Sequence, residues 1–181
     1  MPENWSKAAA NWDQDEQVRS YADKAFASLL SHVNVCSPQW KSKRVLDFGC
    51  GTGLLTEKMI EVLKRKQLSN VIPNCVEIGN GTQQLTADWL ADFDLIVASS
   101  VCSFLPNYKV LLHTLSNAIA PNGYFIQWDW LPSEMNDFGL TPARVERALN
   151  DANFAQVRVE QAFSVEVDNQ HLPVLIGIGV K

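Results

Sequence analysis

No run of about eighteen apolar residues, the minimum for a membrane-spanning helix, occurs anywhere in the 181 residues. The four cysteines, Cys36, Cys50, Cys75 and Cys102, stand singly with no C-x-x-C pair. That argues against a zinc site or redox motif and suits a reducing, cytoplasmic setting. No H-E-x-x-H occurs, and His32, His113 and His171 are scattered, so they read as surface or packing residues and no metal is expected. Basic charge is scarce too, with 15 Lys and Arg against 20 Asp and Glu and a net charge of -5. This argues against a nucleic-acid backbone as the main partner. Lys64-Arg65-Lys66 reads as the solvated end of an amphipathic helix. The first residues, MPENWSKAAANWDQDEQ, are polar and acidic, wrong for a secretory signal. There is no internal repeat, low-complexity tract or linker, and the length suits one domain over 1–181. A hydrophobic content of 46% is enough for an ordinary globular core.

Periodicity supplies the elements. Residues 15–33 place Val18, Tyr21, Ala22, Ala25, Phe26, Leu29 and Leu30 at three- and four-residue spacing, which predicts a helix. CSPQWKSK reads as a loop and residues 44–48 as a short strand. Residues 54–66 read as a helix with Leu55, Met59, Val62 and Leu63 on one face. NCVEI (74–78) is a weaker strand candidate. DLIVASS (94–100) is a near-continuous apolar run, as in a strand covered on both faces. A helix is predicted over 108–119, stopped by Pro121-Asn122-Gly123, and a strand over 124–130. Thr141 and Pro142 carry an N-cap and first-position signature. VRVEQAFSVEV and PVLIGIGVK read as two strands antiparallel to each other. Strands alternating with helices predict an α/β fold, a doubly wound, mostly parallel sheet. The last two strands, joined without a helix, predict one antiparallel member.

The stretch VLDFGCGTG carries the chemistry. Gly49, Gly51 and Gly53 alternate after Asp47 and flank Cys50. Glycines permit positive φ and close backbone approach to a ligand. The amides opening the next helix offer donors and a positive dipole end, and Asp47 adds a negative charge across from them. Both signs in one turn suit a zwitterionic amino-acid moiety better than a pyrophosphate. A nicotinamide-dependent oxidoreductase needs G-x-G-x-x-G, but the third position falls on Leu54 or Thr56.

VLDFGCGTG resembles the first motif of the class I S-adenosylmethionine-dependent methyltransferases. FDLIVASSVCSFLPNY is similar to that family's fourth strand and following loop, and APNGYFIQWDW to its turn and fifth strand. The helical segment of 1–40 resembles the family's N-terminal cap, with 41–181 as a Rossmann-like core. The resemblance implies a seven-stranded sheet whose last strand is antiparallel, and S-adenosyl-L-methionine as cofactor. Gly49, Gly51 and Gly53 would pass its methionine part, and Asp47 would act on its amino end. Ser99 and Ser100 would face the sulfonium, and Trp12 and Tyr21 could cap it, aromatic faces attracting a sulfonium.

The expected reaction is methyl transfer to a small-molecule acceptor. Such chemistry leaves a weak signature, because the donor is already activated and alignment supplies most of the rate. A non-catalytic S-adenosylmethionine-binding protein of the same fold is the alternative. Acceptor-side candidates are Trp12, Tyr21, Ser103, Trp128, Asp129 and Trp130. Asp129, beyond the fifth strand, is the candidate base, and equally a polar residue that ends a strand. Alternation puts Trp128 and Trp130 on one face. No N/D-P-P-Y sequence follows the fourth strand, which argues against an amino-methyltransferase of nucleobases or glutamine side chains.

The ribose half of the site is missing where spacing puts it. An acidic residue is expected about 20 residues past the motif, but Gln67-Leu68-Ser69-Asn70 holds none. MIEVLKRK resembles the family helix after the second strand, and LLTEK the start of the helix before it. The junction Lys58–Met59 therefore reads as if about 15–25 residues were absent, the usual βαβ spacing. The two flanks favour an omitted second strand. A true deletion with one continuous helix is the rival, leaving Glu77 as the acid placed to meet a ribose.

Overall fold

A computed structural model describes residues 11–35, 37–65, 91–132 and 139–181. Helix α1 (Glu16–His32) starts where the side chain of Asp15 accepts from the Gln17 and Val18 amides, an N-cap that satisfies otherwise orphaned donors. It buries Tyr21, Ala22, Ala25 and Leu29. Leu30 is 38% exposed, so the apolar stripe is narrower than the sequence predicts. Strand β1 (Val45–Phe48) leads through the glycine turn into α2 (Leu54–Arg65). Then follow β2 (Phe93–Ser99), a 3-10 turn (Cys102–Phe104), α3 (Tyr108–Asn117), β3 (Ile119–Trp130) and α4 (Pro142–Asp151). Strands β4 (Gln156–Val167) and β5 (Gln170–Val180) end the chain. Thr141 caps α4 through the Arg144 amide, with Pro142 at its first position.

The five described strands run in the order β1-β2-β3-β5-β4. The first three are mutually parallel, and β5 is antiparallel to both of its neighbours. Asp168 and Asn169 join β4 to β5, both at positive φ (50° and 61°), as a two-residue hairpin of the primed type requires. Helices α1 and α2 cover one face over Leu95, Val97, Ile126, Trp128 and Ile176. Helices α3 and α4 cover the other over Ile96, Ala98, Phe125 and Leu175. This is the α/β layering read from the alternation, with Trp128 and Trp130 on one face.

Three expectations need correction. Helix α2 runs unbroken through Lys58 and Met59, as in the continuous-helix reading. Leu55 and Met59, one helical turn apart, are buried in one cluster with Tyr21 and Ala25 of α1, which an insertion between them would rule out. The ribose role falls to Glu77 or to nothing. Glu77 and NCVEI lie outside the described residues, as do Cys36 and Cys75. Helix α3 stops at Asn117, and β3 starts at Ile119. Pro121-Asn122-Gly123 sits in a bulge, where the register slips from Phe93↔Ile119 to Leu95↔Tyr124. Finally, Asp129 is inside β3, paired in register with Leu175, and is not beyond the strand.

Candidate functional site

The parallel strands β1, β2 and β3 end on one edge of the sheet, and the candidate residues gather there. The glycine turn has positive φ at Gly49 (71°), Gly51 (56°) and Gly53 (90°). A Cβ at Gly49 would lie 2.6 Å from Val101 Cγ2, whereas one at Gly51 or Gly53 would meet nothing within 4 Å. Gly49 is thus required by the chain's own packing, which presses the loop after β2 onto the turn. Gly51 and Gly53 border open space, a cradle that side chains would fill.

Asp47, the last but one residue of β1, faces α2. Its Oδ2 accepts from the Thr56 hydroxyl at 2.6 Å. Its Oδ1 is buried with no hydrogen-bond partner among the described residues. Burial raises its pKa, opposed by the hydroxyl and amide of Thr56. A buried carboxylate with one bare oxygen beside an open cradle is a place for a cation.

Ser99 ends β2, and Ser100 follows with φ of 54°. The Ser100 hydroxyl accepts from Trp130 Nε1 at 3.1 Å. Tyr21 lies with its ring centroid 5.1 Å from Trp130 and 5.4 Å from Phe163. Burial, then the charge of Asp129, keeps its hydroxyl well above the ordinary tyrosine pKa. Trp128 is fully buried and donates from Nε1 to Ser28 Oγ, so it is core. Trp12 is helical and 37% exposed, just ahead of the turn that precedes α1. Its neighbour Asp13 accepts from the Thr52 hydroxyl, which ties the start of the described chain to the glycine turn. Lys58 pairs with Asp23 and fastens α2 to α1. Cys50 is exposed.

Asp129 is fully buried. Its Oδ1 accepts from the Ser103 amide at 2.9 Å, and its Oδ2 from Gln127 Nε2 at 3.0 Å. Gln127 Oε1 in turn accepts from the Tyr108 hydroxyl at 2.6 Å. Burial lifts the Asp129 carboxyl to about 7, against the Ser103 and Gln127 hydrogen bonds that hold it down. Thr56, Gln127 and Tyr108 were not flagged from sequence. Thr56 had a local signal, a hydroxyl in the first turn of the helix after the glycines. The other two act through contacts that no spacing reveals.

A family model described as a methyltransferase domain matches residues 18–172. The chain belongs to that family. Trans-aconitate 2-methyltransferase of Rhodococcus jostii is 30% identical to this methyltransferase domain over 127 residues, 64% of the chain and 48% of the relative. Ubiquinone biosynthesis O-methyltransferase of Alkalilimnicola ehrlichii is 27% identical over 112 residues, 54% of the chain and 45% of the relative. The chain spans about half the length of the curated relatives it matches. Among solved structures, N-methyltransferase NodS of Bradyrhizobium japonicum, in complex with S-adenosyl-L-homocysteine, aligns with a TM-score of 0.60 at 15% identity. That alignment covers 99% of each chain. An S-adenosylmethionine-dependent methyltransferase of Mesorhizobium loti aligns with a TM-score of 0.56 at 16% identity, over 85% of this chain and 98% of that one. These likenesses confirm the class I methyltransferase fold of the domain. Among the described residues no helix is long and apolar enough to cross a membrane, and no group of side chains is arranged to hold a metal ion.

Proposed function

We propose that the chain is an S-adenosyl-L-methionine-dependent methyltransferase acting on a small-molecule acceptor. The observation that carries this reading is the bare, buried Oδ1 of Asp47 next to the open side of Gly51 and Gly53. A cationic ammonium would satisfy the carboxylate, and a carboxylate of the same ligand would meet the amides opening α2. The amino-acid end of S-adenosylmethionine presents both charges. Cys50 would border this end, and Ser99, Ser100 and Tyr21 would line the reacting side. Trp12 would cap it from the segment that Asp13 ties to the turn. When bound, the cofactor supplies a methyl group already activated by its sulfonium.

The protein's contribution is alignment and exclusion of water. The rings of Tyr21, Trp130 and Phe163 pack together and would border the acceptor side. The names of the two curated relatives, both methyltransferases, agree with a small-molecule acceptor. The buried Cys102 is outside any disulfide, which suits the cytoplasm.

Titration calorimetry with S-adenosylhomocysteine, S-adenosylmethionine and NAD tests the reading. Binding of the first two at micromolar concentration is expected. Tighter binding of NAD than of S-adenosylhomocysteine would overturn it.

A further inference from the structure

Strand β4 is the outermost of the five described strands, and among the described residues it pairs with β5 alone. An edge strand presents every second backbone amide and carbonyl outward, unpaired. The bonds of β5 to β3 show which ones these are. The Pro173 carbonyl accepts from the Leu131 amide, and Lys181 bonds through its carbonyl to Asn122 and through its amide to Gly123. Odd-numbered residues of β5 thus face β3, and even-numbered ones face β4. Gln156, Arg158 and Glu160 stand opposite Val180, Ile178 and Ile176, so their backbone groups point inward. Those of Val157, Val159 and Gln161 point out of the sheet.

The far half of the strand is blunted. Its register slips between Gln161 and Phe163, a bulge of the kind that ends pairing. Beyond the bulge, Lys24 of α1 donates from Nζ to the Ser164 carbonyl at 2.6 Å. Among the described residues no such bond covers the outward groups of 157–161. This stretch has two charges on one face, Arg158 and Glu160, whose side chains are 62% and 38% exposed. Val157 and Val159 lie on the other face, against the core cluster that includes Val145 and Leu149 of α4.

We propose that β4 pairs antiparallel with β4 of a second copy of this chain, about a two-fold axis at Val159. Val159 then meets its own copy, and Val157 meets the partner's Gln161, each pair exchanging two backbone hydrogen bonds. Arg158 stands directly opposite the partner's Glu160, in the closer pairs that exchange no backbone bond. Charge selects this register. Sliding two residues one way sets Arg158 against Arg158, and two residues the other way sets Glu160 against Glu160, both destabilising. The bulge and Lys24 end the seam after Gln161, and the two-fold consumes both edges, so the assembly closes as a dimer. So short a seam makes a dimer that exchanges with monomer. The glycine turn follows β1, at the opposite end of the strand order, and stays clear of it.

The test is sedimentation velocity on the full chain. Wild type should be largely dimeric at about 100 μM and monomeric at about 1 μM, as a small interface implies. Arg158→Glu sets like charges opposite each other twice and should weaken association at least about tenfold. The double variant Arg158→Glu with Glu160→Arg restores the opposite pairs and should return to within about threefold of wild type. Val159→Pro removes the outward amide on the axis but no bond to β5, so it should be monomeric with an unchanged circular dichroism spectrum. Amide exchange by nuclear magnetic resonance locates the seam. The Val157, Val159 and Gln161 amides should slow as concentration rises, whereas those of Arg158 and Glu160, bonded to β5, should be slow throughout. If Val159→Pro does not fold, the charge variants and the exchange pattern carry the test. A wild type monomeric at 100 μM overturns the proposal. So does a dimer in which Arg158→Glu and the double variant associate alike, or in which the Val157 and Val159 amides exchange as fast as in dilute protein.

Discussion

Two aspartates near the ends of parallel strands, Asp47 on β1 and Asp129 on β3, have opposite surroundings. Both are held toward their neutral form by burial. Asp129 has a donor from the chain on each oxygen, the Ser103 amide and the Gln127 amide. Asp47 has Thr56 on one oxygen and nothing on the other among the described residues. The Asp129 carboxylate is completed by the fold, whereas that of Asp47 waits for a partner from outside. Burial alone does not separate a structural acid from a ligand-binding one; the count of satisfied oxygens does.

The sharpest way to break the comparison is Asp129→Asn. A carboxyl raised to about 7 in the fold binds its proton more tightly there than in the unfolded chain. Its contribution to stability is full below the ordinary carboxylate pKa and is lost as pH rises through 7. The loss amounts to roughly 4 kcal/mol by pH 8. Asparagine keeps the acceptor for Ser103, and Gln127 can turn its amide to accept from the new side chain, since which end carries oxygen follows the network. Urea unfolding should therefore show the variant more stable than wild type at pH 8, with the advantage shrinking at pH 5.

Gly49→Ala comes next and separates packing from binding within the turn. Its Cβ lies 2.6 Å from Val101 at a φ of 71°, so strain and overpacking together should cost about 3 kcal/mol, read as a lower urea midpoint. Gly51→Ala adds a Cβ to open space. It should cost about 1 kcal/mol in stability but weaken S-adenosylhomocysteine about tenfold by calorimetry, because the added methyl occupies the cradle. Equal effects in both variants would erase the distinction.

Asp47→Asn should leave the apo fold no less stable, since a half-paired buried charge is removed. It should weaken S-adenosylhomocysteine about 10- to 100-fold, the worth of a charge-assisted hydrogen bond. The smallest effect belongs to Thr56→Val. It removes the donor that opposes the upward pKa shift of Asp47, so affinity should fall about fivefold. The low-pH limb of binding, which requires ionised Asp47, should move to higher pH.

The glycine turn was legible because each glycine answers a local demand, positive φ, and local demands are written in local sequence. The helices and strands were legible for the same reason. Leu55 and Met59 meet α1 through simple helical spacing, and that spacing also shows α2 to be continuous where family likeness suggested a gap. Asp129 was misplaced because its burial is not local. The 3-10 turn at Cys102–Phe104 folds over the end of β3, and Ser103 reaches it across 26 positions of sequence. Tyr108 and Gln127 escaped notice for the same cause, being joined by a bond across 19 positions.

The fit of Val101 against Gly49 has a consequence for the sequences this fold can explore. In a library that randomises both positions and is sorted for soluble protein, the two sites will not vary independently. Valine at 101 should be recovered with glycine alone at 49. Asparagine at 49, the side chain best suited to its positive φ, should be recovered only where 101 has shrunk to alanine or glycine. The strand-to-helix turn and the loop after β2, some fifty residues apart, would drift as one linked pair.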